Sequence, residues 1–164
     1  MSTEEINYII NETDSITLTG VEKRDIEGIY RYVARNIIGG PLQPSDFFSY
    51  KDEFSNKTDR NSKKNQLFSR RPKSNSFYAI SFFISADIKH MIFIRQEMDK
   101  SFGNKSIAMG NLLSKGYTEV SDSEYITKKK PGEIISDTFH VDCWKYSQVN
   151  YADFIPDFQV VFAE

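Results

Sequence analysis

The sequence predicts an α+β protein: a compact single domain with a mainly antiparallel sheet and one or two helices. Three observations carry this expectation. Short runs rich in Val, Ile, Tyr and Phe recur along the chain, bounded by Gly, Pro, Asn or Ser, as strands separated by turns are. Few segments have helical spacing, and no regular strand–helix–strand alternation imposes a parallel sheet. With 164 residues, 13 Phe and 9 Tyr, the chain can build one core without disulfides or a structural metal.

Element by element, "TEEINYIINE" (3–12) reads as a short helix, because Ile6, Ile9 and Ile10 fall at the 3, 4 spacing of one helical face. "GIYRYVA" (28–34) is the first expected strand, followed by an irregular connection, "RNIIGGPLQPSDFFS", broken by two glycines and two prolines. Residues 50–75 form the most polar stretch, with eight Lys/Arg against three Asp/Glu. They read as a mobile basic loop. Its plain role is a solvated linker; its sharper one is a flap over an anionic ligand, touched by Lys63, Lys64, Arg70 and Arg71.

"SFYAISFF" (76–83) reads as a central strand. Ser85 is placed to cap a helix over roughly 86–101, with His90 on its surface and Arg95 reaching water. "KSIAMGNLL" (105–113) is a strand, and shorter strands are expected near 117–120 and 124–127, with a loop at 128–133. "TFHVDCW" and the terminal "FQVVFA" (158–163) complete the sheet.

The net charge of −2 argues against nucleic acid or a membrane surface as a partner. No apolar run approaches the ~20 residues of a spanning helix. The acidic N-terminus lacks the order of a signal peptide. The lone Cys143 suits a reducing compartment. These features are those of a cytoplasmic protein, or of one exported by a dedicated secretion system without a signal peptide.

The chemistry concentrates in "TFHVDCWKY" (138–146), which holds one of two histidines and the only cysteine and tryptophan. On a strand, His140, Asp142 and Trp144 point one way, and Phe139, Val141 and Cys143 the other. The second set is the natural core face, so Cys143 reads as an inert buried thiol. His140 and Asp142 sit ~7 Å apart along a strand, too far for a direct bond from position alone. His90, His140 and Cys143 match no zinc spacing, so no metal is expected. Arg31, between Tyr30 and Tyr32, must pair or reach an edge, since burying it alone costs several kcal/mol.

The order "YR", "PLQPSDF", "FYAISFF" entering a helix, then "HVDCWKY" resembles a diffuse group of small bacterial proteins, over roughly residues 28–146. It is also similar to compact ADP-ribosyltransferase-like toxins. That resemblance implies NAD as substrate, Arg31 as anchor for its phosphates, Ser81 as a pocket-shaping serine and His140 as the late-strand polar residue. Tyr30, Phe47 and Trp144 would stack on the nicotinamide or adenine. The paired glutamates of such transferases have no counterpart here, so Asp142 would stand in.

Two main function classes follow, with a weaker third. One is an NAD-using toxin or effector, a transferase or glycohydrolase, with Ser81, His140 and Asp142 as catalytic residues. The other is a non-catalytic module, an immunity or regulatory protein, whose partner is another protein. A third is a hydrolase with His140 as general base. Convergence of Arg31, Ser81 and His140 in one pocket separates the first class from the second.

Overall fold

A computed structural model describes residues 4–37, 40–55, 75–102, 106–123 and 138–163. The mixed, antiparallel architecture expected from the sequence is present. Strands β1 (Glu5–Asn11) and β2 (Asp14–Thr19) form a hairpin. Seven further strands form one sheet: β3 (Glu22–Lys23), β4 (Ile26–Val33), β5 (Ile80–Ser85), β6 (Ser106–Leu112), β7 (Gly116–Val120), β8 (Thr138–Lys145) and β9 (Phe158–Ala163). Their spatial order is β3-β7-β8-β5-β4-β6-β9, and every neighbouring pair is antiparallel. Two α-helices are described, α1 (Tyr50–Ser55) and α2 (Ile88–Phe102). No helix among the described residues is long and apolar enough to cross a membrane.

The helix expected over 3–12 is strand β1. Its exposure alternates strictly, with Ile6, Tyr8 and Ile10 inward and Glu5, Asn7 and Ile9 outward. Period two among β-branched and aromatic residues wins over the 3, 4 coincidence of three isoleucines. Asn11 Oδ1 accepts the Thr13 N–H at 2.9 Å and shapes the turn to β2. The expected first strand is therefore the fourth. The stretch 76–83 also begins differently: Asn75–Tyr78 is a 3-10 turn, and β5 starts at Ile80. The basic segment opens with α1, while Lys63, Lys64, Arg70 and Arg71 lie outside the described residues, as do 124–137.

The sheet is covered on both faces. On one, Ile29, Val33, Phe82, Ala108, Val141 and Cys143 meet Ile37, Leu42 and Phe47 from the irregular connection and Val149, Phe154 and Phe158 from the last one. Two 3-10 turns roof this face, Pro44–Phe47 and Tyr151–Asp157. In the first, Asp46 accepts the Gln43 N–H at 2.7 Å; in the second, Asp153 accepts the Asn150 N–H at 2.8 Å. Phe47 and Phe154, each next after its aspartate, stack with centroids 5.4 Å apart.

On the other face α2 lies over Tyr30, Tyr32, Phe83 and Ile107 through Met91 and Ile94. Asp87, not Ser85, caps it: Asp87 Oδ1 accepts the Lys89 N–H, and its carbonyl accepts from His90 and Met91. Ser85 instead joins a hydroxyl network with Thr138, which contacts His90 Nδ1 at 2.7 Å. His90 is 1% exposed, not a surface residue, because this network satisfies its ring in the helix–sheet interface. Arg95 is likewise buried rather than in water, its guanidinium 5.0 Å from the Phe162 ring centre. Farther along the same face, Leu18, Val21, Ala79 and Trp144 form a separate cluster under the hairpin.

Candidate functional site

The face carrying His140 is thus split between two apolar clusters. Ala79, just before β5, belongs to the hairpin cluster and Phe83 on β5 to the helix cluster, with Ser81 between them. Along β8, Trp144 belongs to the hairpin cluster, and His140 meets Phe83 edge-on at 5.2 Å. Asp142 lies between them, and its register partner is Ser81. Strand alternation and this register place Ser81, His140 and Asp142 on one strip between the helix and the hairpin.

The three are joined. Ser81 Oγ lies 2.7 Å from His140 Nε2, and Asp142 Oδ1 lies 3.7 Å from the same nitrogen. The strand spacing set His140 and Asp142 too far apart, but the side chains lean together toward Ser81 and close that distance. Asp142 Oδ2 accepts a 2.8 Å bond from the Ser76 hydroxyl, whereas Oδ1 is buried without a hydrogen-bond partner among the described residues. The strand beyond Asp142 is Glu119's: β7 sets Glu119 directly opposite Asp142. Ser76 and Glu119 are the members sequence reasoning missed. No motif announces them, since both arrive through non-local pairing.

Electrostatics follow from burial. Desolvation, reinforced by the Arg31 charge, lowers the His140 pKa to about 4. Desolvation raises the Asp142 pKa to about 6, opposed by the Ser76 hydrogen bond. At neutral pH the imidazole is therefore neutral, and its contact with Asp142 is not an ion pair. Glu119 is also raised, first by desolvation and then by the Asp142 and Asp122 charges. The His140 side chain is 29% exposed and the Asp142 side chain 8%, so the histidine is the member that meets solvent.

Arg31 does not join this strip. It projects to the opposite face, where Nε donates to the Asp46 carbonyl, NH1 to that of Ser81 and NH2 to that of Phe48. Burial lowers its pKa, partly offset by Glu53, Tyr50, Tyr151 and Asp46. Its donor fork ties β4 to β5 and to the irregular connection. Tyr30, Phe47 and Trp144 are buried in three different clusters. Trp144 Nε1 donates to the Asn75 carbonyl, holding the turn that delivers Ser76. As folded, all four are at most 8% exposed. Cys143 is fully buried and its thiol is pushed up to about 12.

Among the described residues, no three His, Cys, Asp or Glu side chains converge as metal ligands would. Compared with family models, curated proteins and solved structures, the chain matches none.

Proposed function

We propose that the protein is an enzyme in which His140 acts as a general base for hydrolysis or group transfer. One observation carries this reading: His140 Nε2 faces two oxygens, the Ser81 hydroxyl, which can donate or accept, and the otherwise unpartnered Asp142 Oδ1, which when ionised can only accept. A neutral imidazole between two such oxygens keeps its proton on Nε2. That leaves the lone pair of Nδ1, which has no hydrogen-bond partner among the described residues, to take a proton. When Nδ1 takes the proton of a water or substrate hydroxyl, positive charge develops on the ring beside Asp142. The carboxylate stabilises that charge without moving, as an orienting carboxylate does in hydrolytic triads. Ser81 is a positioning residue here, because it is 6% exposed.

A second reading is supported by Glu119 opposite Asp142. Paired carboxylates can stabilise the oxocarbenium-like state of glycosidic cleavage, as an NAD-using transferase or glycohydrolase of the ADP-ribosyltransferase type requires. This reading takes its phosphate contact from a residue other than Arg31, which is buried on the opposite face with three of its donors on carbonyls.

The test is a comparison of wild type, H140Q, D142N and E119Q on activated esters and on NAD, following nicotinamide release. General-base action predicts that H140Q loses about 10²–10⁴ in rate. NAD cleavage lost equally in E119Q would favour the second reading. Retained cellular function with an unreactive site, unchanged in H140Q, would move the protein to the interaction-module class.

A further inference from the structure

One strand step beyond Trp144, a groove of about 390 Å³ opens among Asn7, Tyr8, Ile9, Lys23, Tyr117, Tyr146, Ser147 and Gln148. We propose that this groove binds an aromatic phosphate of nucleotide size. Its back wall is a corner: the Tyr117 and Tyr146 rings stand at 85° with centroids 5.0 Å apart. Lys23 Nζ lies 5.8 Å from one ring centre and 6.0 Å from the other. Two perpendicular rings give a planar ligand one face to stack on and one edge to abut.

Charge selects the ligand. Among the described residues no Asp or Glu lines the groove, and Lys23 forms no ion pair. The nearby Asp25 is engaged by the Ser114 N–H at 2.8 Å. A cation would meet Lys23 unopposed, whereas a phosphate would gain a charge-assisted bond from it. The rim supplies the rest: the Asn7 and Gln148 amides and the Ser147 hydroxyl can bond ring nitrogens or ribose. Ile9, 64% exposed, stands at that rim as an apolar group in water that a stacked ring would cover. The volume falls within the range of small-molecule sites. This site shares no lining residue with the Ser81–His140–Asp142 strip and does not depend on the function proposed there.

Equilibrium dialysis with 5′-AMP, adenosine, phenyl phosphate and inorganic phosphate tests it. Lys23 is exposed, so K23Q leaves the fold intact. Saturable AMP binding is expected, tighter than adenosine by about tenfold or more, as one charge-assisted bond provides. K23Q should abolish that difference while D142N leaves it unchanged, and inorganic phosphate alone should not saturate. The proposal is overturned if AMP binds no tighter than adenosine, or if K23Q binds AMP as wild type does. It is also overturned if neither AMP nor phenyl phosphate saturates.

Discussion

At the scale of single residues, Arg31 and Asp142 are opposite solutions to burying a charge. Arg31 is buried with Nε, NH1 and NH2 each donating to a carbonyl, so its removal strands the Asp46, Ser81 and Phe48 oxygens. Arg31→Ala should cost about 3–5 kcal/mol in urea unfolding, and Arg31→Lys should recover little, because an ammonium cannot span three diverging acceptors. An arginine held only for a ligand would tolerate the change with its stability intact. Asp142 is instead left half-satisfied, and the sign of its effect follows. Its folded pKa lies above the unfolded value, so ionising it opposes folding, and stability is lost as pH rises from about 4 toward 6. His140 works in reverse: its pKa is lowered from 6.5 to about 4, so stability is lost as pH falls through that window. The two terms are of similar size and largely cancel across pH 4–6. Asp142→Asn removes one of them. It should raise the melting temperature at pH 7.5, a gain worth up to ~3 kcal/mol, and the gain should vanish near pH 4. An equal or lower melting temperature at pH 7.5 would mean the carboxylate is not strained there.

At the scale of elements, the irregular connection is held by Asp46. It accepts from the Gln43 N–H and takes a two-point bond from Arg35, with both contacts at 2.7 Å. Asp46→Ala should therefore cost about 2 kcal/mol or more, from one cap and one partly exposed bidentate pair. The measurement is chemical denaturation, with Asp153→Ala as the cap-only comparison. Loss of the same amount in both would discount the Arg35 contribution. The paired turns were visible in the sequence as "SDF" at 45–47 and "ADF" at 152–154. They are too short to register as a repeat, and only the stacking of Phe47 on Phe154 gives them meaning. Strands β4, β6, β8 and β9 were legible because each is a short run dense in apolar residues. The first hairpin was not, since three isoleucines fit two periods and only pairing with β2 decides between them. His90 and Arg95 were misread for a related reason: polar residues on a helix look solvated until the partner that buries them is known.

At the scale of the whole molecule, the sheet brings residues 76, 81, 119, 140 and 142 together from three separate parts of the chain. His140 and Asp142 could be named from residue type and strand alternation, and Ser81 only through the resemblance to ADP-ribosyltransferase-like toxins. That they touch could not be inferred, because side-chain lean and the β5–β8 register decide it. The helix and the hairpin cover the ends of that face and leave the polar strip between them, where burial shifts both titrating groups. If the strip is an enzyme's, its rate should rise through pH 6 as Asp142 ionises, because the carboxylate then supports charge on the imidazole. Ser76→Ala removes the bond that holds the Asp142 pKa down. It should move that limb to higher pH while leaving the plateau in place, and a profile superposable on wild type would exclude Asp142 as its source.

The most direct test needs no substrate. With only two histidines in the chain, a pH titration of the imidazole ¹⁵N signals, assigned with a His90→Gln variant, reports both the tautomer and the pKa of His140. The account predicts a neutral ring with its proton on Nε2 that stays neutral down to about pH 4. A proton on Nδ1, or titration near the ordinary value of about 6.5, would contradict it.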